Sequence, residues 1–203
     1  MITAAHVGIG IRGVEGQQAA RASDYAIGEF KFLRRILLFH GRECYRKNAL
    51  LVCYNFYKNT LLVLPQFWYG FFNFFSGQTL YEKYLYQFFN LFYTSMPIVI
   101  YAVLDREFSS SILEKSNKHY MQGIVGELFN AKKFWKWMIA GIWQAFFISL
   151  FSYFSLCQNF INNDGLNDGF WDAGTMTFAC CVLIANFKVL IFSNLYSPAS
   201  MFI

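Results

Sequence analysis

Charge is what this chain has least of: Asp, Glu, Lys and Arg together make up only 14% of its 203 residues. Water-soluble domains usually carry about 25%. The deficit excludes an ordinary soluble globule, which could not hide 25 Phe, 13 Tyr and 5 Trp from water. Histidine is scarce as well, and its three residues lie too far apart to read as a metal cluster. The five cysteines (Cys44, Cys53, Cys157, Cys180 and Cys181) lack the paired spacing of zinc or redox motifs. Cys180 and Cys181 sit side by side in an apolar run and read as small buried or lipid-facing residues. No metal site is expected from these residues. Met1 to His6 has neither the basic flank nor the apolar core of a signal peptide.

Arginine is absent from residues 137–203, and Lys188 is the single lysine there. Basic residues collect instead at 31–47 and 106–136. They do not show the interleaved basic and aromatic pattern of a folded nucleic-acid domain. Their asymmetry reads as membrane topology.

Four stretches reach the roughly 20 apolar residues that a membrane helix needs. They are 49–75, interrupted by Lys58 and Pro65; 84–104, with Pro97; 134–157; and 173–193. Residues 1–48 and 105–133 hold most of the positive charge and are expected on the cytoplasmic side. The short link 76–83 and the link 158–171, which has Asp164, Asp168 and four Asn but no Lys or Arg, are expected opposite. Both termini of this multi-pass chain then face the cytoplasm.

Residues 1–28 follow another pattern. A glycine-lightened strand at 3–11, a helix-like run at 15–23 and a second strand at 25–27 cannot enclose a core by themselves. Over 29–48, Phe30, Leu33, Ile36 and Leu37 recur at helical spacing among Lys31, Arg34 and Arg35. This predicts a basic helix running through Arg42, Arg46 and Lys47 into the first span.

Gly8-Ile9-Gly10-Ile11-Arg12-Gly13 matches a dinucleotide fingerprint in letters only. That motif needs a complete strand before the glycines and a helix directly after them. Here the glycines fall inside the strand.

Lys58 is the sharper signal. It lies nine residues into its apolar span, about 14 Å along a helix, where a lysine costs roughly 3 kcal/mol. Either it faces a polar cavity or partner, or it snorkels to the interface on its four-carbon stem. Asn90 lies within the second span, where an amide either packs across helices or serves transport. Lys188, about five residues from the end of its span, is accounted for by snorkelling.

AAHVGIGIRGVEGQQAARASDYAI (4–27) resembles the end of the phosphorylation domain of P-type ATPases, and its EGQQA and SDY stretches are similar to the lipid-flippase branch. YNFYKN (54–59) with QFWYGFFNFFSGQTLYE (66–82) resembles the fifth flippase helix and its outer turn; FFNLFYTSMP (88–97) resembles the sixth. Asp172-Ala173-Gly174-Thr175 and Asn186-Phe187-Lys188-Val189 are similar to the eighth. Where the family often has a second proline after Pro97, this chain has Ile98.

The resemblance implies a mainly α, polytopic membrane protein, with four transmembrane helices preceded by the end of a haloacid-dehalogenase-like α/β phosphorylation domain. Residues 1–28 would be that end, 29–48 a cytoplasmic stalk helix, and 49–203 the C-terminal membrane domain. By matching position it assigns Lys58, Asn59 and Asn90 to the lipid transport path. It also implies a phospholipid substrate, moved from the outer to the cytoplasmic leaflet. An accessory transmembrane β-subunit would be the partner. ATP and Mg2+ serve the full-length protein; this chain, without the family's DKTG and GDGxND motifs, is expected to bind neither and to be inactive alone. The alternative is a free-standing four-helix membrane protein, derived from a flippase, with a binding or regulatory role.

Overall fold

The computed structural model describes residues 4–13, 17–115, 117–157 and 169–194. The Asp- and Asn-rich stretch 158–168 of the expected outer link lies outside the described residues. In chain order the elements are strand β1 (Ile9–Ile11), helix α1 (Gln18–Arg21), strand β2 (Tyr25–Ile27), a 3-10 turn (Phe30–Phe32), α2 (Leu33–Arg35) and a π-helical turn (Ile36–Gly41). There follow α3 (Arg42–Phe72), α4 (Lys83–Phe88), a second π-helical turn (Phe89–Tyr93) and α5 (Ser95–Leu104). Helix α6 (Ser110–Lys115), a 3-10 turn (Asn117–Tyr120), α7 (Met121–Ile124), α8 (Ala131–Cys157) and α9 (Phe170–Phe192) come next. The protein is mainly helical, as its composition demands.

Two compact units emerge: Met1–Arg46 with Phe108–Leu128, and Lys47–Glu107 with Phe129–Ile203. In the first, β1 and β2 pair in parallel, with Ile9 opposite Tyr25 and Ile11 opposite Ile27. Helix α1 bridges them. Gly10 is required at this crossing, since a Cβ there would lie 2.6 Å from both the Ala19 carbonyl oxygen and Ser23 Oγ. Ile27 is the buried hydrophobe of the two strands, whereas Ile11 and Tyr25 are exposed.

The basic residues around α2 and the start of α3 are consumed locally. Glu43 Oε2 accepts from Arg46 Nη2 at 2.9 Å, and Glu43 Oε1 accepts from Arg42 Nη1 at 3.3 Å. Arg42 Nη2 also donates to Gln122 Oε1 at 3.1 Å, and its guanidinium lies 5.3 Å from the Phe108 ring. Arg34 Nη2 donates to the Glu114 carbonyl at 2.6 Å. The segment 108–128 is thereby fastened to the basic helix.

Among the described residues of the second unit, three helices are long and apolar enough to cross a membrane: Lys83–Leu104 with 22 residues, Ala131–Phe154 with 24 and Phe170–Phe192 with 23. Their ends fall near the expected ones. Asn130 Oδ1 accepts from the Lys133 amide at 2.9 Å, so α8 starts at Ala131, a turn earlier than 134. Asp172 Oδ2 accepts from the Gly169 amide at 2.9 Å and starts α9 at Phe170. The remaining expected span, 49–75, falls in the 31-residue α3 (Arg42–Phe72) as far as Phe72; α3 has the length but not the composition of the other three. Asn55, Lys58, Asn59 and Gln66 punctuate it.

Helix α3 stops at Phe72 because Phe74 and Phe75 take φ of 49° and 54°. The Phe75 amide donates back to the Gly70 carbonyl at 2.9 Å, closing the helix end. The loop that follows is clasped by Gln66, whose Oε1 accepts from the Leu80 amide at 2.7 Å and whose Nε2 donates to the Gln78 carbonyl at 3.2 Å.

Small residues bring the helices close. A Cβ at Gly141 would lie 3.2 Å from the Tyr57 ring, and one at Gly174 would lie 2.1 Å from the Leu80 carbonyl oxygen. Pro65 leaves Leu61 without its usual intrahelical donor; Cys181 Sγ donates to that carbonyl at 3.5 Å. Tyr81 Oη donates to the adjacent Leu62 carbonyl at 3.0 Å. These contacts fix α3 against α9 and the Leu80–Tyr81 loop around a core that includes Tyr54, Tyr57, Phe89, Phe178 and Ala185.

Candidate functional site

The second π-helical turn makes the site. A π turn holds one residue more than an α turn. At its end, the Thr94 amide and the Thr94 hydroxyl both donate to the Phe89 carbonyl, at 3.1 and 2.8 Å. Pro97 follows in the first turn of α5, where its missing N–H costs little. The change of winding lies just before Pro97, over Phe89–Tyr93.

Lys58 comes to this turn from α3. Its ammonium donates to Thr94 Oγ1 at 3.0 Å, and lies 5.7 Å from the Tyr54 ring centre. Lys58 is 6% exposed and Thr94 is completely buried. An ammonium group has three donors; among the described residues only Thr94 accepts one of them. No carboxylate pairs with Lys58 among the described residues. The hydroxyl of the same Tyr54 is buried with no hydrogen-bond partner among the described residues. The result is a sequestered positive charge with spare donors, on a helix break, suited to an anionic or strongly polar oxygen ligand.

Of the three residues assigned by sequence, the structure brings Lys58 into this arrangement. Asn59 and Asn90 have exposed side chains, Asn90 on the π turn itself. Thr94 is the residue that the sequence reading missed. Its only signal is a Thr-Ser pair, Thr94 and Ser95, between an aromatic run and Pro97.

Lys188 lies among aromatic rings. Its ammonium sits 5.3 Å from the ring of Tyr57, 5.1 Å from Trp137 and 5.7 Å from Phe192. Three aromatic rings surround its charge.

Residues 20–203 match the family model described as phospholipid-translocating P-type ATPase C-terminal. The chain belongs to the phospholipid-translocating P-type ATPases. It is 39% identical over 194 residues to phospholipid-transporting ATPase C887.12 of Schizosaccharomyces pombe, covering 96% of this chain and 15% of that protein. It is 38% identical over 202 residues to phospholipid-transporting ATPase DRS2 of Saccharomyces cerevisiae, covering 99% of this chain and 15% of that one. To phospholipid-transporting ATPase IH of Mus musculus it is 36% identical over 203 residues, covering 100% and 17%. The chain thus spans about a sixth of the length of these relatives. Family and apolar helices together make it an integral membrane protein.

Membership in this ATPase family implies ATP and Mg2+ for full-length members. The described residues do not fit either group. The Gly8 amide, which a phosphate would need, donates to Asp24 Oδ2 at 2.7 Å. The space at Gly10 is filled by Ala19 and Ser23. Among the described residues no group of three or more His, Cys, Asp or Glu is placed to hold a metal ion.

Proposed function

We propose that this chain supplies part of the lipid path of an ATP-driven phospholipid flippase, with Lys58 contacting the head group. The carrying observation is the buried Lys58 ammonium, whose described hydrogen-bond partner is the Thr94 hydroxyl at 3.0 Å. A phosphate or carboxylate oxygen would complete its donor set and offset the charge. Thr94 positions the ammonium. Asn59 and Asn90, with exposed amides on neighbouring helices, extend the path and offer donors and acceptors to head-group oxygens.

The same reading makes α3 a fourth membrane span, kept polar along one part of its length for transport. It takes aminophospholipids or related lipids as the substrate, moved from the outer to the cytoplasmic leaflet. Both termini lie on the cytoplasmic side, and residues 1–28 close a haloacid-dehalogenase-like phosphorylation domain. The parallel β1–α1–β2 unit supports that assignment, because a strand–helix–strand crossover is the building block of such α/β folds. An accessory transmembrane β-subunit is the expected partner.

The test is Lys58→Ala in the full-length protein, reading lipid-stimulated dephosphorylation. Loss of one charge-assisted hydrogen bond to the head group should slow it about tenfold or more. Lipid dependence unchanged from the unsubstituted protein would sink the assignment.

A further inference from the structure

The links 76–83 and 158–171, both expected on the outer side, hold one basic residue between them, Lys83. Lysine and arginine favour the cytoplasmic side of a membrane protein, so a lysine opposite needs a reason. Lys83 stands at the edge of a cavity. In the second unit, a space of about 400 Å³ opens between Leu62, Val63 and Gln66 on α3, Tyr81 in the loop, and Lys83 and Gln87 on α4. That volume is within the usual range of small-molecule sites.

Three features define the ligand. One wall is apolar. Leu62 and Tyr81 are buried, and the Tyr81 hydroxyl is already spent on the Leu62 carbonyl at 3.0 Å. The rim, by contrast, is polar and uncommitted. The side chains of Lys83, Gln87 and Thr79, which also lines the cavity, are exposed. Among the described residues they make no hydrogen bond or ion pair. Glu82, next in sequence, neither pairs with Lys83 nor lines the cavity. The third feature is alignment with Lys58. Lys58, Leu62 and Gln66 recur every four residues on α3, so the cavity starts about 6 Å along the face that bears Lys58. On the facing run, Gln87 follows Lys83 by one turn and Asn90 follows Gln87 by another.

An accessible, unpaired ammonium beside an apolar wall suits an anionic amphiphile. In a phospholipid the phosphate lies where the polar and apolar parts join, and a lysine binds it as a point charge. We infer that this cavity receives a phospholipid from the outer leaflet, its phosphate on Lys83 and its glycerol end against Leu62 and Val63. Gln87 and Thr79 offer hydrogen bonds to the remaining phosphate and ester oxygens. Phosphate is common to all phospholipids, so this site gathers lipid and leaves head-group choice to the deeper groups. The inference rests on the reading of Lys58 as part of the lipid path and of 76–83 as an outer link.

The experiment uses the full-length protein in dodecyl maltoside micelles with a phosphatidylserine probe that carries a diazirine on the acyl carbon beside the ester. Ultraviolet labelling is mapped by peptide mass spectrometry. Peptides carrying residues 62–66 and 79–87 should be labelled, and Lys83→Met should lower that labelling about tenfold through loss of a charge-assisted contact. Lys83→Arg should retain most of it. A diacylglycerol with the same diazirine chain, which lacks the phosphate, should label no better than the phospholipid does in the Met variant. Equal labelling by the diacylglycerol, equal labelling of the Met variant, or none at these peptides overturns the site. Complete displacement of the probe by millimolar inorganic phosphate overturns it in favour of a free-anion site. Carbodiimide coupling of Lys83 to a protein carboxylate, in place of lipid labelling, overturns it in favour of an ion pair with another segment or subunit. Lys58→Ala separates the two readings. It should leave this labelling intact while slowing lipid-stimulated dephosphorylation. Loss of labelling in that variant would mean that there is no separate receiving site; unslowed dephosphorylation would remove the lipid path on which the inference rests.

Discussion

Lys58 and Thr94, 36 residues apart in the chain, share a buried hydrogen bond of 3.0 Å at the point where the helical run from Lys83 to Leu104 changes its winding. Each needs the other. Without Thr94 the ammonium has no described hydrogen-bond acceptor, and without the π turn Thr94 would not present its hydroxyl there.

Thr94→Val keeps the shape and removes the acceptor. Apparent affinity for the stimulating phospholipid should fall about tenfold, because a charged donor loses its anchor. Thr94→Ser should restore it. A titration of ATPase activity against lipid content checks both; a Val variant with unaltered lipid affinity would show Thr94 to be packing alone.

Gly174→Ala forces a methyl group to within 2.1 Å of the Leu80 carbonyl oxygen, a backbone atom that cannot swing away. The loop must lift off α9, at a cost of about 1–3 kcal/mol. Thermal unfolding followed by size-exclusion chromatography should show the loss. Gly28→Ala is the matched control, since nothing lies within 4 Å of a Cβ there.

Glu43→Gln removes the carboxylate shared by Arg42 and Arg46 in a buried cluster. About 3 kcal/mol of stability should go with it. Arg34→Ala, which breaks an exposed contact to Glu114, should cost under about 1 kcal/mol. Proteolysis of the segment 108–128 reports the difference: rapid cutting in the first variant, little change in the second.

Lys188→Met retains the stem and deletes the charge from the aromatic cage. Stability should drop by about 1 kcal/mol, and Lys188→Arg should retain most of it. Equal thermal unfolding of the Met variant and the unsubstituted protein would mean that the rings supply packing only.

Much of this was legible in the residues. Scarce charge and long apolar runs announced the membrane class, and the caps at Asn130 and Asp172 explain why two helices start a few residues before the apolar runs do. Lys58 stood out because a charge inside an apolar stretch demands a reason. Thr94 did not, because a π turn is a backbone event that leaves no mark in side-chain spacing. The cage around Lys188 was hidden for another reason. Its rings come from Tyr57 on α3 and Trp137 on α8 as well as from Phe192, so only tertiary packing assembles it. The early stop of α3 was equally invisible, since Phe at positive φ is a conformation that propensity argues against.

The turn at Phe89–Tyr93 also makes residue count a structural quantity. Each residue of an α-helix advances the chain by about 100° around its axis. Deleting one residue from 89–93 would restore an ordinary α turn, and because the π turn holds one residue more for about the same sweep, the helix beyond it would keep its phase. Pro97, Ile98 and Tyr101 would stay buried. What would go is the wide turn that sets the Thr94 hydroxyl against Lys58. The same deletion made within α5 would instead swing everything beyond it by about 100°.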